Sequence, residues 1–250
     1  MTRLLVVLAA AAALAPDPAP RPPLLVSVAS SLGDVMSDIA RRYEERGGPQ
    51  VRLNTAGSNF LARQIIEGAR VDVFVSADDT QMDLVERAGH VVAGSRIDLL
   101  TNRLVVVGPP GTARRVSGPA DLAAPGLRRL ALGNPESVPA GVYARRWLER
   151  AGVWASVAPR VVPTVTVRAA LAAVRSGRAD AAVVYDTDAR TDAAVPVLYR
   201  VPEDAAPSIR YPAAVTHARQ AAAAAKFLAY LSGDEAAAIF TAAGFGLVRR

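Results

Sequence analysis

Leu24-Leu25-Val26-Ser27-Val28-Ala29 is an apolar run without strict alternation, the pattern of a strand buried on both faces of a parallel sheet. A helical period follows, with Leu32, Val35, Met36, Ile39, Ala40 and Tyr43 on one face, Ser30 or Ser31 as its cap and Gly47-Gly48 as its stop. Val51 to Thr55 predicts a second strand, and Gly57-Ser58 opens a helix with Leu61, Ile65 and Ile66 inward, closed by Gly68. Val71 to Val75 predicts a third strand, followed by Ser76-Ala77-Asp78-Asp79 and a helix to Gly89. A second series starts at Leu104-Val105-Val106-Val107 and continues with a strand at Leu130-Ala131-Leu132, a helix from Val142 to Ala151 and a strand beginning at Val161. It ends with a helix from Val167 to Ser176, closed by Gly177, and a strand from Asp180 to Tyr185. Pro196, Pro202, Pro207 and Pro212 punctuate a connection, Ile209 to Val215 reads as a returning strand, and residues 218–242 hold two final helices. Strands alternating with helices predict an α/β fold with mostly parallel sheets, in two units joined near residues 100 and 205.

Composition narrows the class. The chain has 250 residues, 51% hydrophobic and 21% charged, ample for two medium units with their own cores. It has no Cys, which excludes disulfides, thiolate metal sites and a lipid anchor on Cys. The net charge of +6 could suit a nucleic acid. Nearly all of the basic residues are Arg, however, with Lys226 the sole Lys, and they alternate with acids, as in Arg41-Arg42-Tyr43-Glu44-Glu45-Arg46. That is a solvated helix face, so no nucleic-acid partner is expected. Arg3 and the apolar run Leu4–Ala15 have the form of a signal peptide, with Ala13-Leu14-Ala15 as a cleavage motif and a Pro-rich lead-in over residues 16–23. The run is too short to span a bilayer, and an exported protein, periplasmic and without a lipid anchor, is expected.

Enzymatic constellations are scarce. His90 and His217 have no ligand-spaced neighbours, Gly57-Ser58 lacks the form of a nucleophile elbow, no Gly-rich phosphate loop surrounds Lys226, and no G-x-G-x-x-G follows a strand. Asp186, Asp188 and Asp192 resemble a cation loop but lack its Gly and closing Glu, so turn and cap roles are expected for them. What recurs is a helix start. Ser30-Ser31-Leu32, Gly57-Ser58-Asn59, Pro139-Ala140-Gly141 and Thr164-Val165-Thr166-Val167 each precede a helical pattern at comparable points of successive βα units. A single Ser in such a place is ordinarily a cap. Several together, at the carboxyl ends of strands in an open sheet, suggest an anion held by backbone amides and hydroxyls. Tyr185 also ends its strand.

Ala29-Ser30-Ser31-Leu32, Leu61 to Ile65, Asp72 to Asp78, Leu104 to Val107, the block Gly133-Asn134-Pro135-Glu136-Ser137-Val138-Pro139-Ala140-Gly141-Val142-Tyr143-Ala144 and Val184 to Ala189 closely resemble the periplasmic molybdate-binding proteins of ABC importers. The resemblance extends from about residue 24 to Phe245-Gly246, and the Pro-Glu-x-Val-Pro-Ala-Gly-x-Tyr-Ala stretch is its most specific part. It implies a two-lobed type II periplasmic binding protein fold with two crossovers: residues 24–100 plus 207–250 as one lobe, 101–206 as the other, and 1–23 as signal peptide and lead-in. It also implies that Ser31 and Ser58 bind an oxyanion through their hydroxyls, Ala140 and Val167 through backbone N–H groups, and Tyr185 through its phenol. The first pair would lie on the first lobe, the other three on the second lobe or at the hinge. The chain departs from the family where Gly57-Ser58-Asn59 replaces a run of serines and where Thr166 replaces an acid.

Donors alone suit molybdate or tungstate, which near neutral pH are tetrahedral dianions with acceptors only. Hydrogen phosphate would leave a proton unpaired, at about 1–3 kcal/mol. Sulfate shares the chemistry, so a sulfate or other oxyanion receptor stays open, as do an enzyme on the same fold and a sensor. The resemblance further implies no cofactor, no directly coordinated metal, a monomer, and a membrane permease as partner.

Overall fold

The computed structural model describes residues 22–216 and 220–248. The signal segment, most of the lead-in and His217 lie outside them. The first unit comprises β1 (Leu24–Ala29), a 3-10 turn (Ser30–Leu32), α1 (Gly33–Glu45), β2 (Val51–Ala56), α2 (Ser58–Ile66), β3 (Val73–Val75), α3 (Asp79–Arg87) and β4 (Ile97–Thr101). The chain then crosses into β5 (Leu104–Val107), β6 (Leu130–Gly133), α4 (Pro139–Arg150), α5 (Trp154–Val157), β7 (Val161–Thr164), α6 (Val167–Arg175), β8 (Ala181–Tyr185), α7 (Asp186–Ala189) and β9 (Val197–Arg200). It returns through β10 (Arg210–Val215) to α8 (Ala221–Leu231), α9 (Asp234–Ala242) and β11 (Gly246–Leu247).

Two sheets result, ordered β11-β4-β10-β3-β1-β2 and β7-β6-β8-β5-β9. Residues 102–103 and 201–209 are the two passages between them. Both sheets are mixed, which corrects the mostly parallel expectation. β2-β1-β3 and β7-β6-β8 pair in parallel, as repeated βα units require. β10 lies antiparallel to β3 and β4, β11 to β4, and β5 to β8 and β9. These strands stand next to the passages between the sheets, outside the βα repeats. β1 is buried along most of its length, as its unbroken apolar run demands. Pro163 sits in β7 at the edge of its sheet, where its missing N–H is tolerated.

Two local expectations change. Neither Ser30 nor Ser31 caps α1; both belong to the tight turn before it, and no side chain makes a cap bond there. Ile66 is 39% exposed, because it stands in the last turn of α2 while Leu61 and Ile65 fill the core. Tyr43 is half-buried, its ring 5.0 Å from that of Phe227, and so ties α1 to α8. Among the described residues no helix is long and apolar enough to cross a membrane.

Candidate functional site

Ser31, Ser58, Ala140, Val167 and Tyr185 stand at or just beyond the carboxyl ends of β1, β2, β6, β7 and β8. The structure brings all five around one cavity, together with Ala29, Ser30, Gly57, Ala77, Val138 and Pro139. The cavity is small, about 10 Å³, near the least that holds one water. None of its lining residues is charged. Ser31 and Ser58 extend from the first sheet; Ala140, Val167 and Tyr185 come from the second. An occupant would therefore touch both.

Local chemistry leaves the donors at each helix start unspent. α6 is capped by Thr166, whose Oγ1 accepts the Ala169 N–H at 3.0 Å, so the Val167 amide in the first position is not consumed by the cap. Thr166 thus serves as a cap without the acid the family resemblance implies there. In α4, Pro139 holds the first position and has no N–H, so the first available amide is that of Ala140. Gly141 lets this helix start lie tight on the end of β6: a Cβ there would come within 1.8 Å of the Gly133 carbonyl oxygen. α2 begins after Gly57, which has no side chain to cap it. A Cβ on Gly57 would lie 2.7 Å from Asn59 Oδ1 and 2.9 Å from the Val165 carbonyl oxygen. The Gly57 and Asn59 departures are therefore a matched pair, and they let the loop before α6 approach the first sheet.

The hydroxyls are buried. Ser58 is 1% exposed, and its Oγ accepts the Ala77 N–H at 3.0 Å. Ser31 Oγ lies 3.0 Å from the Tyr211 hydroxyl. The Tyr185 hydroxyl is fully buried and has no hydrogen-bond partner. Burial, reinforced by the neighbouring Tyr211 and Tyr143 and by the acids Asp78 and Asp188, holds its pKa well above the ordinary tyrosine value, so it keeps its proton. A buried, unpaired hydroxyl costs about 1–3 kcal/mol, a cost that an acceptor in the cavity would remove.

Several residues around the site were not visible in the sequence. Tyr211 faces Tyr185 with ring centroids 5.8 Å apart, and Asn102, in the first passage between sheets, donates to the Tyr211 hydroxyl at 3.1 Å. Arg168, next to Val167, pairs with the fully buried Asp188 at 2.6 Å and with Asp34 of α1 at 2.9 Å. Asp186, Asp188 and Asp192 form no cation loop; the expected turn role holds for Asp192, whose Oδ1 accepts the Ala194 N–H at 3.1 Å. Asp186 pairs with Arg190 and Arg200, and Asp192 with Arg175, so arginines account for all three. The arginines could be counted in the sequence, but only the packing of α6, α7 and β9 reveals which acid each one meets. Among the described residues no three His, Asp or Glu side chains gather as a metal site.

The family profile described as bacterial extracellular solute-binding protein matches residues 24–246. The molybdate-binding protein ModA of Escherichia coli strain K12 is 37% identical over 228 residues, covering 89% of this chain and 88% of its own. The ModA of Mycobacterium tuberculosis strain H37Rv is 34% identical over 225 residues, covering 89% and 84%. Among solved structures, the periplasmic molybdate-binding protein of Azotobacter vinelandii superposes with a TM-score of 0.81 at 26% identity, over 90% of this chain and 100% of that one. The sulfate-binding protein SubI of Mycobacterium tuberculosis superposes with a TM-score of 0.80 at 16% identity, covering 91% and 88%, a likeness of fold alone.

Proposed function

The chain belongs to the bacterial extracellular solute-binding proteins, and from that premise we propose that it captures molybdate, and also tungstate, between its two sheets and delivers the ion to the membrane permease of an ABC importer. One observation carries the reading: donors from both sheets, including an unpaired Tyr185 proton, line a cavity that presents no charged side chain. A dianion with four acceptor oxygens suits that lining. Its hydrogen bonds to neutral donors contribute about 1.5–3 kcal/mol each, and each helix start adds roughly 0.3–1 kcal/mol. The sum is reduced by the ordering and desolvation that closure entails. The relatives named for molybdate support the choice of ion. In this reading the protein transports without transforming its ligand, needs no cofactor and works as a monomer outside the cytoplasmic membrane.

Dispersed dipoles also suit release. When the sheets separate, Ser31 and Ser58 leave with one side and Ala140, Val167 and Tyr185 with the other, so the ion loses several donors in one motion. Calorimetric titration with molybdate, tungstate, sulfate and phosphate tests the proposal. Micromolar or tighter binding of the first two, with the others at least a hundredfold weaker, is expected; preferential binding of sulfate would replace molybdate as the ligand.

A further inference from the structure

The hydroxyl of Ser31 can present to the cavity either its proton or a lone pair, and the groups behind it decide which. Asn102 Oδ1 accepts the N–H of Arg103 at 2.9 Å, which fixes the amide orientation and leaves Nδ2 as the donor. That Nδ2 donates to Thr187 Oγ1 at 2.9 Å and to the Tyr211 hydroxyl oxygen at 3.1 Å. Tyr211 is fully buried. Burial, with the nearby Asp188, keeps its phenol protonated, so it must place a proton of its own. Asn102 offers it only a donor, and the remaining neighbour is Ser31 Oγ at 3.0 Å. Tyr211 therefore donates to Ser31, and the Ser31 proton turns to the cavity. Ser58 Oγ accepts the Ala77 amide, which leaves its own proton free to be donated.

We propose that Asn102 and Tyr211 are positioning residues for specificity: they orient the Ser31 hydroxyl as a donor, so that the cleft rejects oxyanions that carry a proton. The inference rests on the oxyanion reading above and deepens it. Asn102 is well placed for the task. It lies in the passage between the sheets, and its amide contacts Thr187 of α7 as well as Tyr211 of β10. One side chain thus links the hinge to the polarity of the site.

Two variants test it, read as the ratio of molybdate affinity to that of inorganic phosphate, which carries at least one proton near neutral pH. Phosphate is measured as a competitor at millimolar concentration. Tyr211→Phe keeps the ring packed against Tyr185 and Phe245 but removes the donor to Ser31; molybdate should weaken about tenfold and the ratio should fall by a similar factor. Asn102→Asp puts an acceptor where Nδ2 stands. Tyr211 then donates to it, Ser31 donates to Tyr211, and a lone pair faces the cavity. The added negative charge weakens every anion, so the ratio is the informative quantity, and it should fall by more than about tenfold. A ratio unchanged in both variants, whatever the absolute affinities, overturns the positioning role. If the unaltered protein binds no molybdate, the proposed function itself fails. The ratio is independent of the fraction of folded protein, so partial misfolding of one variant does not obscure the result.

Discussion

Arg168 on α6 reaches across the cleft to Asp34 on α1, its Nη2 2.9 Å from Oδ2. The guanidinium is held from behind by Asp188, 0% exposed, with Nε 2.6 Å from Oδ1, and Nη1 donates to Thr191 Oγ1 at 3.0 Å. Arg168 is thus anchored in the second unit and extends one arm to the first. Because Asp34 is 73% exposed, the contact is worth only about 0.2–1 kcal/mol. Asp34→Asn should speed molybdate release up to about fivefold with little change in Tm. The difference from the unaltered protein should shrink in high salt, which screens the pair. Stopped-flow displacement at two ionic strengths measures it.

Gly57 sets how closely the loop before α6 can approach. A Cβ there would meet the Val165 carbonyl oxygen at 2.9 Å, and backbone cannot swing aside as a side-chain tip can. Gly57→Ala should weaken molybdate binding about tenfold or more, with the overpacking cost of about 1–3 kcal/mol falling on closure. Small-angle scattering with saturating ligand should find the variant less compact than the unaltered protein.

Tyr185→Phe separates ligand binding from stability by sign. Removing the unpaired buried hydroxyl should leave the ligand-free Tm unchanged or raised. Molybdate affinity should fall about tenfold or more, because a charge-assisted hydrogen bond is lost. Thermal melts with and without ligand read both effects in one experiment.

Asp78 makes stability depend on pH. Burial raises its pKa to about 6, against the opposing bonds from Gln81 and Ser76, with Asp79 and Arg146 as its charged neighbours. In the unfolded chain an Asp titrates near about 3.9. Between about pH 4 and 6 the native state still holds this proton and the unfolded state has lost it, so this contribution to stability falls as pH rises through that window and is level above it. Asp78→Asn keeps an Oδ1 for the Gln81 N–H, which the carboxylate accepts at 3.0 Å, and removes the titration. Denaturant melts should find the variant gaining on the unaltered protein by on the order of 1–3 kcal/mol between pH 4 and 7.

The residues that end strands were legible in the sequence because their signals are local. An apolar run followed by a hydroxyl and a helical period marks Ser31, Gly57 followed by a helical period marks Ser58, and Pro139 marks the start of α4 by its own covalent geometry. What stayed hidden depends on register between distant segments. Tyr211 looks like any aromatic in a returning strand until β10 is placed beside β3, which brings its hydroxyl to Ser31, 180 residues away. β9 and β11 are too short for their pattern to stand out, and β5 has a continuous apolar run that reads alike in parallel and antiparallel pairing. In the sequence, Gly57 and Asn59 stand where the family has serines and leave only the central Ser58 in place. Only the approach of Val165 explains this departure.

The central claim is that neutral donors from two sheets hold the ion with no cationic side chain in contact. Crystals of the protein grown with molybdate, measured at the molybdenum absorption edge, test it directly. A single anomalous peak within hydrogen-bonding reach of Ser31, Ser58, Ala140, Val167 and Tyr185 is the expected result. A peak coordinated by arginine guanidinium groups, or lying away from the gap between the sheets, would contradict it.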